Sequence, residues 1–206
     1  MKKLGALLLA SLVLLSGCAT LSKDECITAD WYSIGYEDGA NGYPSTRIAS
    51  HREACAKHGV TPDLRAYQDG HDEGLLGFCT ERNGFNRALG GYQYNGICPP
   101  SLEPEFLDGY EAGRQIYTVR SEISSLESEQ RSNESEIDRI DEVLIEKEAA
   151  LFATGTPEDQ RRVIYEEIAQ LKERKGELTQ RNQELIRKLA EAQARLRVLE
   201  ERYSYY

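Results

Sequence analysis

Three histidines and five cysteines carry the greatest capacity for specific chemistry in this 206-residue chain. His51, Cys55 and His58 are spaced so that a helix would place them on successive turns, with His71 or Cys79 to complete a tetrahedral zinc set. A cysteine beside His51 or His58 would also suit a thiolate nucleophile. Both readings need free thiols, and cysteines in an oxidising compartment pair instead. Asp and Glu number 35, and no two are singled out by spacing for general acid and base work. No serine carries a Ser-His-Asp signature, and no acidic run has the order of an EF-hand loop. The residues therefore point to no catalytic set, no metal set and no cofactor.

The amino terminus carries an address. Lys2 and Lys3 precede an apolar run from Leu4 to Leu15 that ends in Leu-Ser-Gly-Cys at 15–18. A cationic start, a short apolar core and small residues before the cut are what signal processing requires, and the run is too short to span a bilayer. The stretch resembles a bacterial lipoprotein signal. That resemblance implies a signal peptide over residues 1–17, diacylglycerol on the Cys18 thiol and an acyl chain such as palmitate on the new amino terminus. Each buried methylene contributes about 0.8 kcal/mol, so several chains on Cys18 hold a protein to a membrane. Ala19, not Asp, follows the cysteine. By resemblance to Gram-negative lipoproteins this implies the outer membrane, facing the periplasm, with residues 18–25 as a lipidated linker.

Without Lys2 and Lys3 the balance is 23 basic against 35 acidic residues, about −12. An acidic surface repels phosphates, so nucleic acid is not an expected partner. With Cys18 acylated, Cys26, Cys55, Cys79 and Cys98 remain for two disulfides. Three pairings are open, and the shorter loops favour Cys26 with Cys55 and Cys79 with Cys98.

Two regions with different composition must position these residues. From Cys26 to about Pro100 the chain is rich in Gly, Tyr and Cys, whereas from Glu103 onward Glu, Arg, Lys, Leu and Ile recur with a regular period. The expected domains are a Gly/Tyr/Cys-rich helical domain over 26–117 and an antiparallel coiled-coil hairpin over 118–206, whose first helix starts near 104. Apolar residues step by threes and fours from Ile116 through Ile123, Ile137 and Leu144 to Leu151, and again from Ile164 through Leu171 and Leu185 to Leu199. A turn at Ala153–Asp159, with Thr156 as N-cap and Pro157 opening the second helix, separates the two series. Folding back about Gly155 is expected to pair residues whose numbers sum to about 311 or 312. Leu144 then meets Ile168, Leu126 meets Leu185, and Gln130 meets Asn182, while Asn133 falls opposite Leu178.

Three segments share the order aromatic, two residues, Gly, Tyr or His, acid, one residue, Gly. They are Tyr32, Gly35 and Gly39; Tyr67, Gly70 and Gly74; Phe106, Gly109 and Gly113. On a helix, offsets zero, three and seven share one side. Each glycine costs about 1 kcal/mol relative to alanine in a helix, so the bare surfaces must be approached closely. The expectation is helix packing, with the ring of one repeat over the glycine groove of another and Tyr203 opposite Gly109.

The paired glycines with aromatics, together with His-Arg-Glu-Ala-Cys at 51–55, Leu-Leu-Gly-Phe-Cys at 75–79 and Tyr-Asn-Gly-Ile-Cys-Pro at 94–99, resemble a bacterial domain of unknown function, number 2799. The resemblance covers about residues 24 to 117. It implies a small secreted or lipid-anchored protein and assigns no catalytic residue. The resulting expectation is a mainly α, disulfide-stapled lipoprotein that is not an enzyme and binds an envelope protein partner. A module for cell-wall glycan or a metal ion is the alternative.

Overall fold

The computed structural model describes residues 21–206, which are mainly helical, with no strand among them. The expected signal peptide and the lipidation site Cys18 lie outside the described residues. No helix among the described residues is long and apolar enough to cross a membrane. The chain divides into two compact units, one ending at Phe78 and the other running from Cys79 to Tyr206. That division falls inside the stretch 26–117 expected to form one domain. The physical reason is that the glycine helices pair two by two.

The first unit holds α1 (Lys23–Ile27), α2 (Trp31–Ala40), α3 (Ile48–Ala56) and α4 (Leu64–Phe78). Helix α2 starts at Asp30, whose carboxylate accepts from the Tyr32 N–H at 3.2 Å, and Asp63 accepts from the Arg65 and Ala66 N–H groups at the start of α4. The two helices cross with their backbones touching. A Cβ on Gly35 would lie 2.0 Å from the Tyr67 carbonyl oxygen, and one on Gly70 would lie 2.0 Å from that of Tyr32. Gly39 faces the His71 carbonyl and Gly74 that of Tyr36, each at 2.2 Å by the same measure. Carbonyl oxygens, rather than the expected aromatic rings, fill the grooves. Cys26 and Cys55 form a disulfide that ties the residues before α2 to α3, beside a core of Trp31 and Tyr67.

The second unit holds α5 (Glu81–Leu89), α6 (Glu103–Phe152) and α7 (Glu158–Arg202). Thr80 caps α5 by accepting from the Asn83 N–H, and Pro104 sits in the first turn of α6. A Cβ on Gly109 would lie 1.9 Å from the Glu81 carbonyl oxygen, and one on Gly84 would lie 2.2 Å from that of Phe106. Gly113 meets the Phe85 carbonyl. Cys79 and Cys98 form the second disulfide, joining the residues before α5 to those before α6.

These contacts disclose a fourth repeat, Glu81–Ala88, in which Glu81 takes the aromatic position and Ala88 the second glycine. The α5–α6 crossing reproduces the α2–α4 crossing position for position. The likeness extends to the following turns, where Gly42 and Gly91 have φ of 78° and 79°. A side chain on Gly42 would strike the Phe78 ring, and one on Gly91 would strike the Tyr117 ring, which stands at the equivalent place in its helix.

Helices α6 and α7 pack side by side in opposite directions about a turn that contains Gly155, with φ of 100°. Ile140, Leu144, Ile168 and Leu178 are buried between them, and Arg195–Glu122, Arg181–Glu129 and Arg174–Glu136 ion pairs of 2.7–2.9 Å flank the seam. The register differs from the expected one by about one helical turn. Asn182 accepts from the Asn133 amide at 3.0 Å, while Gln130 donates to Glu134 on its own helix. Pairing the two asparagines removes the mismatch of Asn133 with Leu178. Lys175 reaches Asp141 at 2.5 Å, so its stem crosses the seam while its ammonium finds a carboxylate. Thr156 is not the N-cap of α7. Pro157 holds that place, and the Thr156 hydroxyl donates to the Ala150 carbonyl, closing the end of α6.

Gly70→Ala forces a methyl into the Tyr32 carbonyl and is expected to lower the unfolding free energy by about 1–3 kcal/mol. Gly176→Ala, at a position in α7 with no atom within 4 Å of the added carbon, is expected to raise it by about 1 kcal/mol. Urea unfolding of the two variants, read by circular dichroism, checks both signs.

Candidate functional site

The best-defined polar constellation is enclosed in the first unit. Asp38, on α2, is 7 % exposed, and His51, on α3, is 2 % exposed. The Tyr67 hydroxyl donates to Asp38 Oδ2 at 2.7 Å, and His51 Nε2 stands 2.7 Å from the same oxygen. A carboxylate offers only acceptors, so this contact places a proton on Nε2. Arg47 Nε lies 3.0 Å from Asp38 Oδ1, within ion-pair range but not aligned as a hydrogen bond, and its guanidinium covers the Tyr43 ring at 3.8 Å. The Tyr67 phenol is pushed well above its ordinary pKa, first by burial and then by its bond to Asp38.

The arrangement brings a carboxylate, an imidazole and a phenol together in a buried cluster. Tyr67 is fully buried, and both Asp38 oxygens face donors or cations. Its physical effect is to join α2, α3 and α4 through one buried carboxylate. His71 holds the turn after α2 through a 2.8 Å contact between its Nε2 and the Tyr43 carbonyl. The Tyr110 hydroxyl, at the equivalent position of the second unit, donates to the Tyr92 carbonyl at 2.8 Å. Tyr94 completes that loop, donating to Glu103 and accepting from the Cys98 N–H.

The residues considered as metal ligands are dispersed by this geometry. Cys55 and Cys79 are in disulfides, His51 faces Asp38, and His71 faces Tyr43. No group of three or more His, Cys, Asp or Glu among the described residues is arranged to hold a metal ion. Tyr32 donates its hydroxyl to Glu73 and is partly exposed, whereas Tyr67 and Phe106 at the same repeat position are buried.

In the second unit the end of α7 covers the α5–α6 crossing. The Tyr206 ring stacks on Phe85 at 4.4 Å and its hydroxyl donates to Glu81 at 2.5 Å. The Tyr203 hydroxyl donates to Gln115 at 3.1 Å, and Tyr203, Leu196 and Leu199 pack on Phe85, Ala112 and Ile116. The atoms nearest a Cβ at Gly109 belong to α5, not to Tyr203. The expected ring therefore lies beside the crossing, one turn from its expected partner. Next to it, Thr118, Val119, Ala194, Val198 and Leu199 floor an open groove of about 750 Å³ with Arg114 and Arg195 at its rim.

The buried Asp38 cluster and the fourth repeat escape a reading of the sequence. A single Asp in an acid-rich chain carries no mark. Gly84 followed by Gly91-Tyr92, repeating the spacing of Gly35 and Gly42-Tyr43, is the signal that reveals the repeat.

Residues 30–115 match the model of a family described as "Protein of unknown function (DUF2799)". The match begins at Asp30, the cap of α2, and ends at Gln115, so it contains all four glycine repeats and leaves out α7 and most of α6. No curated protein and no solved structure matches the chain.

Because the folded Tyr67 value is raised, its contribution to stability is complete below about pH 10 and is lost as pH climbs through that folded value. Tyr67→Phe is expected to cost about 1–2 kcal/mol at pH 7, since Asp38 loses a buried donor. The variant is also expected to lose less stability than the parent protein between pH 9 and pH 11. Urea midpoints across that range measure both effects.

Proposed function

We propose that this chain is an outer-membrane lipoprotein, anchored through Cys18 and facing the periplasm, that serves as a non-catalytic structural or adaptor protein for an envelope partner. Within the second unit, α6 and α7 form an antiparallel coiled-coil arm that continues from the α5–α6 crossing. At 1.5 Å per residue, the 50 residues of α6 reach about 75 Å.

The observation that carries this reading is the apolar surface near the turn of the arm. Phe152 is 81 % exposed, Ile145 69 % and Tyr165 66 %. Ile145 and Phe152 are seven residues apart and share a stripe, and in an antiparallel pair Tyr165 falls on the same side. The interior seam is already filled, so these side chains are surplus to holding α6 on α7. Large exposed apolar residues grouped on one side mark a place for a partner.

A photoreactive amino acid at position 152 of the full chain, expressed in the envelope, is expected to crosslink to one protein. Ile145→Asp with Tyr165→Asp is expected to abolish that product, and Cys18→Ser to release the protein from the membrane fraction. Retention on purified cell-wall glycan with no such crosslink would sink this reading and favour the glycan module.

A further inference from the structure

The two units supply the same crossing, but among the described residues only the second has its outer face covered. There, residues at five repeat positions lie under the end of α7: Glu81, Phe85, Ala112, Gln115 and Ile116. The positions that correspond in the first unit are Tyr32, Tyr36, Glu73, Leu76 and Gly77. Phe85, Ala112 and Ile116 are buried at 3–7 % exposure, whereas Tyr36 is 41 % and Leu76 59 % exposed, and a Cβ on Gly77 would meet nothing within 4 Å. The equivalence is not read from sequence spacing alone. Gly35 and Gly70 meet Tyr67 and Tyr32 as Gly84 and Gly109 meet Phe106 and Glu81.

We infer that the Tyr32, Tyr36 and Leu76 face of the first unit is a docking surface for a partner protein's helix end that presents an aromatic ring beside basic residues. The ring follows from the occupant of the equivalent face, where Tyr206 stacks on Phe85. The basic residues follow from charge. Glu73 stands where the second unit has Ala112, and the Asp69 and Glu73 carboxylates lie close enough to Tyr32 to raise its phenol pKa, with the Glu73 hydrogen bond the larger cause. A helix end with Arg or Lys in its last turn meets these carboxylates favourably and also suits its own dipole. The chain's own α7 cannot serve, because it is already held by Glu81, Phe85 and Gln115.

This inference rests on the adaptor reading, but it concerns a different surface from the arm, so crosslinking at position 152 and the following assay can fail separately. A fluorescent peptide of residues 189–206, the helix end that fits the equivalent face, is titrated into the intact disulfide-bonded chain. A second peptide carries Glu200→Lys and Glu201→Lys. The basic peptide is expected to bind saturably and about tenfold more tightly than the first, with the difference shrinking at high salt. Leu76→Asp and Tyr36→Ala in the chain, both exposed positions, are each expected to weaken binding at least about tenfold with an unchanged circular dichroism spectrum. Absence of saturable binding by either peptide, or binding indifferent to both variants, would overturn the inference. Self-association of the chain that Leu76→Asp abolishes would also overturn it, in favour of a second copy as the occupant.

Discussion

Carbonyl oxygens resting on bare glycine Cα atoms are the contact on which the described chain depends. Helices whose crossing carries side chains stay 8–10 Å apart, and the glycines at offsets three and seven remove that spacer. Each glycine gives up about 1 kcal/mol of helix propensity, a cost offset only when the opposing backbone fills the space. At that separation even weak Cα–H···O contacts contribute. Close approach also decides what lies beside the crossing. Tyr67 and Phe106 are driven into the interior, while the turns after α2 and α5 need Gly42 and Gly91 because an aromatic ring from the partner helix occupies the space of a side chain.

Backbone contact draws the helices together but leaves little apolar area to bury, and the disulfides compensate. Cys26–Cys55 and Cys79–Cys98 close loops of 29 and 19 residues, each worth about 3 kcal/mol in the chain-entropy account. In the first unit the buried Asp38 adds a polar anchor, which is stable because the Tyr67 and His51 donors replace the water it gives up. The second unit uses apolar cover instead, with the α7 end lying over Phe85 and Ile116. One crossing is thus finished in two ways, and the difference separates a covered face from an open one.

Much of this was legible in the residues. The glycine spacing identified helix packing because few other demands place paired glycines inside helices, and the heptads with Gly155 identified two helices and the turn between them. The register was not legible. Two alignments about one turn apart both bring leucines together, and the choice rests on the Asn133–Asn182 amide pair and on ion pairs outside the seam, each worth at most about 1 kcal/mol when exposed. The fourth repeat was hidden because Glu81 and Ala88 break the pattern where only their backbone and small size matter. The division after Phe78 depends on which glycine helix meets which, information that lies in pairing and not in composition.

The direct test of backbone contact at the glycines is a set of nuclear Overhauser measurements on the oxidised chain. Proximity of the Gly35 and Gly70 α-protons to the Tyr67 and Tyr32 backbones, matched by Gly84 and Gly109 against Phe106 and Glu81, gives cross-helix effects at all four glycines. A well-folded chain with helical shifts but no such effects at any of them would contradict the account.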